Sequence, residues 1–124
     1  MRDHMKKKIL NNVAIIGTGM VGTAIGSLLK KSGYNVVSIC DKSSTALKRA
    51  VSYTGGKPFK TIPDAVQHVD CILITTPDDH IAYACREIAS APSITEKYVF
   101  HMSGAGGLDL LASAKKAGAF VASI

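Results

Sequence analysis

Apolar positions along this chain fall into short blocks that alternate between two spacings. Val13-Ala14-Ile15-Ile16 is a continuous apolar run, as expected of a strand buried on both faces. Val36-Val37-Ser38-Ile39-Cys40, Asp70 to Thr75, Lys97 to Met102 and Ala119 to Ile124 have the same character. Between these runs the spacing widens to that of helices. One helix is predicted from the turn after Ile16 to Lys31, closed by Gly33. A second, capped by Ser43 or Ser44, runs to about Val51 with Ala46, Leu47 and Ala50 inward. Thr61-Ile62-Pro63-Asp64 has the pattern of a capping box and opens a short helix to His68. Thr76 reads as the N-cap of the next, with Pro77 in the first helical position and Ile81, Ala84, Cys85 and Ile88 on one face. Leu108 to Ala117 is the last helix, ended by Gly118. Lys57-Pro58-Phe59-Lys60 is short and holds a proline, which suits only a brief edge strand. The alternation predicts an α/β fold: a doubly wound, mostly parallel six-stranded sheet with helices on both faces.

At the first strand–helix junction the chain reads Gly17-Thr18-Gly19-Met20-Val21-Gly22. Gly17 permits a sharp turn. A side chain at Gly19 would obstruct a pyrophosphate approaching the backbone, and Gly22, with Gly26 one turn on, lets the helix lie close to the sheet. Free amides at the helix start and the positive end of its dipole favour phosphate. Asp41 stands 19 positions beyond Gly22, at the end of the second strand, where an acid accepts hydrogen bonds from an adenosine ribose. The alternative is a tight turn that holds no ligand.

Ligands of open α/β sheets lie across the carboxyl ends of the strands. The other candidate residues there are Lys42, Ser43 and Ser44, then Thr75, Thr76 and Pro77, and then His101 to Gly107. Thr75, Thr76 and Pro77 would lie beside the ribose–pyrophosphate half, and Ser103 with Gly104 near a nicotinamide. Asp78 and Asp79 would repel phosphate. His101 is a candidate proton donor set within a strand, whereas His68 and His80 read as surface positions of helices. The Asp41 carboxylate favours NAD, since it would repel the 2′-phosphate of NADP. Lys42, Ser43 and Ser44 could house that phosphate if Asp41 rotated away.

Composition narrows the class. With 124 residues the chain is long enough for one domain, and 47% apolar with 19% charged residues is a globular balance. Residues 1–8 read as a basic tail and 9–124 as the domain. A secretory signal is disfavoured because Asn11-Asn12 interrupts the apolar stretch behind the basic residues. The net charge of +6 is half supplied by Lys6, Lys7 and Lys8, without interleaved aromatics, so nucleic acid is not an expected partner. No run is long enough for a membrane span. Cys40, Cys71 and Cys85 form an odd set on apolar faces, with no metal-binding spacing; they suit free thiols in a reducing, cytoplasmic setting.

Taken together, Val13 to Gly22, the strand Asp70 to Thr75 leading into Thr76-Pro77-Asp78, and His101-Met102-Ser103-Gly104-Ala105 resemble a known family. It is the 6-phosphogluconate dehydrogenase-like superfamily, here its N-terminal Rossmann domain in the pyrroline-5-carboxylate reductase-like branch. The resemblance covers residues 9–124. It implies cofactor binding by Gly17, Thr18, Gly19, Met20, Val21, Gly22 and Asp41, and nicotinamide or substrate contact near Thr75, Thr76 and Ser103. Asp41 departs from relatives that carry a small or basic residue there for NADP. In such proteins a helical C-terminal domain follows, forms the homodimer and closes the pocket around a small-molecule substrate. The chain stops on an apolar strand, so we expect a longer protein whose catalytic acid–base group lies beyond Ile124. The expected function is the cofactor-binding domain of an NAD(P)-dependent oxidoreductase. A module that senses NAD(H) without chemistry shares the same motif, and a methyltransferase is disfavoured by the full glycine spacing.

Overall fold

Successive residues of a strand face opposite sides of a sheet, and β1 (Asn12–Ile16) buries both sides. Val13 and Ile15 join Val36, Ile39, Leu47 and Leu73 in one core, while Ala14 and Ile16 join Ile72, Ile74, Ile81 and Ile88 in the other. The structure, a computed structural model, describes residues 12–92, 94–102 and 111–123. The expected tail, Ser103 and its glycine loop, and the start of the last helix lie outside the described residues.

After β1 come α1 (Met20–Lys31), β2 (Asn35–Cys40), α2 (Ser44–Thr54), β3 (Lys57–Phe59), α3 (Ile62–Ala65) and β4 (Cys71–Ile74). A 3₁₀ turn over Asp78–His80 leads into α4 (Ile81–Ala89), followed by β5 (Tyr98–His101), α5 (Ala112–Lys116) and β6 (Phe120–Ser123). The six strands are ordered β3-β2-β1-β4-β5-β6 and every pair is parallel. This is the doubly wound sheet that the alternation predicts. The strand order reverses between β1 and β4, so a crevice opens at their carboxyl ends.

Close helix packing depends on the second small-residue turn. A Cβ at Gly26 would lie 2.8 Å from Ile15 Cδ1 and 2.5 Å from Thr54 Cγ2, so glycine lets α1 settle onto β1 and α2. β3 is the short edge strand that Pro58 implies, paired only along β2. Two local expectations need correction. α3 stops at Ala65 rather than His68, and Thr61 Oγ1 donates to the Asp64 carboxylate (2.6 Å) instead of capping a backbone N–H. Thr76 does not cap α4: the 3₁₀ turn intervenes, His80 N–H donates to Pro77 O (2.9 Å), and His80 occupies the N-cap position without a side-chain bond. Pro77 thus starts a tighter turn, which moves the helix beyond reach of the Thr76 hydroxyl.

The cysteines behave as buried apolar groups. Burial pushes the Cys40 and Cys71 thiols up to about 12 and Cys85 to about 11; the charges of Asp41 and Asp64 add to the first and that of Asp70 to the second. The thiolate is the reactive form. With an aromatic disulfide reagent at about pH 8 we expect no rapid labelling of the native protein and labelling of all three thiols after denaturation. A fast native phase would contradict the burial.

Candidate functional site

The turn from β1 into α1 is pinned from behind. Gly17 has φ +101°, which a residue with a side chain rarely adopts, and its N–H donates to Cys40 O (2.8 Å). A Cβ on Gly17 would sit 2.9 Å from the Thr75 carbonyl carbon and the Thr76 nitrogen. The β4 loop therefore lies directly against the glycine turn. Thr75 N–H donates to Ile16 O (2.8 Å), and Thr75 Oγ1 points at Gly17 O (2.6 Å) with Ile16 O at 3.2 Å. The Thr75 hydroxyl is thus committed to orienting the turn.

Gly22 and Gly19 have opposite surroundings. At Gly22 a Cβ would fall 2.0 Å from Gly17 O and 2.6 Å from Thr75 Oγ1. At Gly19, with φ −73° and ψ −158°, it would meet no atom of the described residues within 4 Å. Gly19 is the N-cap of α1 and has no side chain to cap it; the first turn contains no acid. The amides at that end are left to whatever enters the cleft.

Asp41 follows β2 and links two loops. Its Oδ2 accepts hydrogen bonds from Thr18 N–H (2.8 Å) and Thr18 Oγ1 (2.9 Å), and its Oδ1 from Ser43 N–H (3.0 Å). Partial burial works against the charge, but the N–H of Ser43, both Thr18 donors and the N–H of Lys42 outweigh it and hold the carboxyl below its ordinary value. Ser43 Oγ caps α2 by accepting from Ala46 N–H (3.1 Å). Lys42 Nζ lies 4.4 Å from the centroid of the Tyr83 ring, an attraction between cation and ring face.

These groups surround a cleft of about 760 Å³ at the carboxyl ends of the strands. That volume is in the range of small-molecule and cofactor sites. Gly17, Gly19, Met20 and Val21 line it from the first loop, Asp41, Lys42 and Ser43 from the second, and Thr75, Thr76 and Pro77 from the fourth. Thr18 and Gly22, also predicted site residues, do not line it. Thr18 is fully buried beneath Asp41, and Gly22 is packed into the turn. Thr76 Oγ1 is buried with no hydrogen-bond partner among the described residues. His101 is fully buried within β5, so its ring presents no surface to the cleft.

Sequence reasoning missed part of the lining. Lys60, Thr61 and Ile62 enter from the β3–α3 connection, and His80, Tyr83 and Glu87 from α4 and the turn before it. His80 is accordingly more than the surface position expected of it. Positions 80, 83, 84 and 87 have the spacing of one helical face, which was the available signal. The Lys60 group had none, because only strand order places β3 beside β2. Among the described residues no cluster of His, Cys, Asp and Glu could hold a metal ion, and no helix is long and apolar enough to cross a membrane.

Comparison with known proteins bears on the fold. A family model described as a Rossmann-like domain matches residues 2–124. The 3-hydroxyisobutyrate dehydrogenase of Mycobacterium tuberculosis, solved with L-serine, superposes with a TM-score of 0.78 at 20% identity, over 92% of this chain and 40% of that one. The imine reductase of Myxococcus stipitatus in complex with NADP+ gives a TM-score of 0.74 at 19% identity, over 90% and 39%. The WlbA dehydrogenase of Bordetella pertussis in complex with NADH and UDP-GlcNAcA gives 0.71 at 22% identity, over 92% and 36%. This chain is also 34% identical over 77 residues to an L-glutamate oxidase precursor of Streptomyces diastatochromogenes, spanning 62% of this chain and 11% of that protein. The chain thus spans well under half the length of each of these proteins.

Proposed function

The chain belongs to the Rossmann-like domain family, and from that membership and the geometry of its cleft we propose that it is the cofactor-binding part of an NAD(P)-dependent oxidoreductase. The observation that carries this reading is Gly19. Neither a positive φ nor a neighbouring group demands glycine there, since φ is −73° and a Cβ would meet no atom of the described residues within 4 Å. A pyrophosphate drawn to the start of α1 is what a Cβ would obstruct.

The residues present fit a dinucleotide. The amides that follow Gly19 would take the pyrophosphate, and the Asp41 carboxylate would accept a hydrogen bond from the adenosine ribose. Thr75 would hold the turn in shape, and Thr76 and Pro77 would flank the ligand from the β4 loop. Ser103, outside the described residues, is proposed near the nicotinamide. When bound, that ring supplies hydride transfer to or from a small substrate. We place the protein in the pyrroline-5-carboxylate reductase-like branch, with NAD favoured over NADP. A helical domain following this one would complete the substrate pocket and form the dimer in the cytoplasm. Names of structural neighbours solved with NADH or NADP+ support the cofactor class.

The direct test is calorimetric titration of the chain with NADH and, separately, NADPH. Saturable binding of either supports the reading, with NADH expected to be tighter. A folded sample that binds neither would overturn it.

A further inference from the structure

We infer that Thr18 is the positioning residue that restricts this cleft to a dinucleotide with a free 2′-hydroxyl. The inference rests on the nucleotide reading above. Accommodating a 2′-phosphate requires the Asp41 carboxylate to leave and a basic or hydroxyl-bearing group to replace it. Asp41 is held by Ser43 N–H, Thr18 N–H, Thr18 Oγ1 and Lys42 N–H, and Thr18, which alone supplies two of these donors, is completely buried. Rotating the carboxylate away would strand the buried Thr18 hydroxyl and N–H without a partner, and a buried unpaired donor is costly.

Two of the groups that could receive the phosphate are engaged elsewhere. Lys42 directs its ammonium at the Tyr83 ring across the cleft, and Ser43 Oγ is occupied as the cap of α2. The carboxylate has limited capacity left as well. Oδ2 already accepts two hydrogen bonds and Oδ1 one, of about four lone-pair positions. Thr18 Oγ1 thereby acts through Asp41 without touching the ligand.

The test compares Thr18→Val, which keeps the shape and the backbone N–H but loses the hydroxyl, with Thr18→Ser, which retains it. Kd is measured for NADH and NADPH on the wild-type chain and both variants, with the Asp41 side-chain carboxyl followed by carbon NMR against pH. In Thr18→Val the preference for NADH is expected to shrink about tenfold, and the Asp41 titration to move up toward that of an ordinary aspartate. Thr18→Ser should behave as wild type in both. An unchanged NADPH-to-NADH ratio in Thr18→Val, even with both affinities reduced equally, would overturn the inference, as would a wild-type chain that prefers NADPH. Absence of binding of either nucleotide to the wild type would defeat the nucleotide reading itself and this inference with it. That outcome is distinct from binding with an unmoved ratio. Should Thr18→Val not fold, the rise in relative NADPH affinity is sought in Thr18→Ala, and its absence there counts against the proposal.

Discussion

Replacing Gly19 with alanine is expected to weaken NADH binding at least about 100-fold while the melting temperature changes by no more than about 4 °C. The two halves of this result have different causes. Gly19 has φ −73°, outside the left-handed region, and the new methyl would touch no atom of the described residues within 4 Å. A Gly→Ala change lowers the entropy of the unfolded chain, a gain of about 0.4–1 kcal/mol, and at this N-cap position that gain is offset because alanine is a poorer cap than glycine. The methyl instead occupies the approach to the amides at the start of α1, where close contact with pyrophosphate leaves no room for a side chain. A loss of two decades corresponds to about 2.7 kcal/mol, and calorimetry beside a thermal melt measures both quantities. Unchanged affinity would mean that the diphosphate does not pass over Gly19.

Gly22→Ala should do the reverse, and its largest effect should be on folding. The added Cβ would lie 2.0 Å from Gly17 O, far inside contact distance, and 2.6 Å from Thr75 Oγ1. Neither neighbour can yield readily. Gly17 O belongs to a backbone held at positive φ, and the Thr75 hydroxyl is already directed at that oxygen. The first turn of α1 must therefore move off the β1–β4 junction. We expect a loss of about 3 kcal/mol, the upper end of overpacking in a dense interior. In a domain of this size that lowers the melting temperature by about 10 °C. Nucleotide binding should fall as well, because the moved amides are those proposed to hold the phosphates. A variant that melts with the wild type would show that the turn is looser than its packing indicates.

The contrast between these glycines explains how much of the site was legible beforehand. Both belong to one motif, and the reasoning from spacing gives each a role. That Gly22 meets protein while Gly19 meets open space depends on where the β4 loop lies. Thr75 shows the same limit: its position marks it for the cleft, yet its hydroxyl serves the Gly17 carbonyl. The local pattern at Thr76 is that of a helix cap, yet the 3₁₀ turn after Pro77 displaces the helix it would cap. Tyr83, His80 and Glu87 could have been found from their shared helical spacing. Lys60, Thr61 and Ile62 could not.

What the sequence determined by itself is the succession of elements and the chemistry at their junctions. Continuous apolar runs such as Cys71-Ile72-Leu73-Ile74 suit only strands covered on both faces, and the glycine turn with Asp41 beyond it marks where a dinucleotide would sit. These are local properties, set by backbone angles and side-chain periodicity. Only the tertiary structure decided which polar groups remain available to a ligand. Asp41 and Thr18 are 23 residues apart, and their pairing arises because parallel β1 and β2 bring their carboxyl ends together. A hydrogen bond made across that junction withdraws a donor from the ligand and fixes an acceptor toward it, and no spacing along a single segment carries that information.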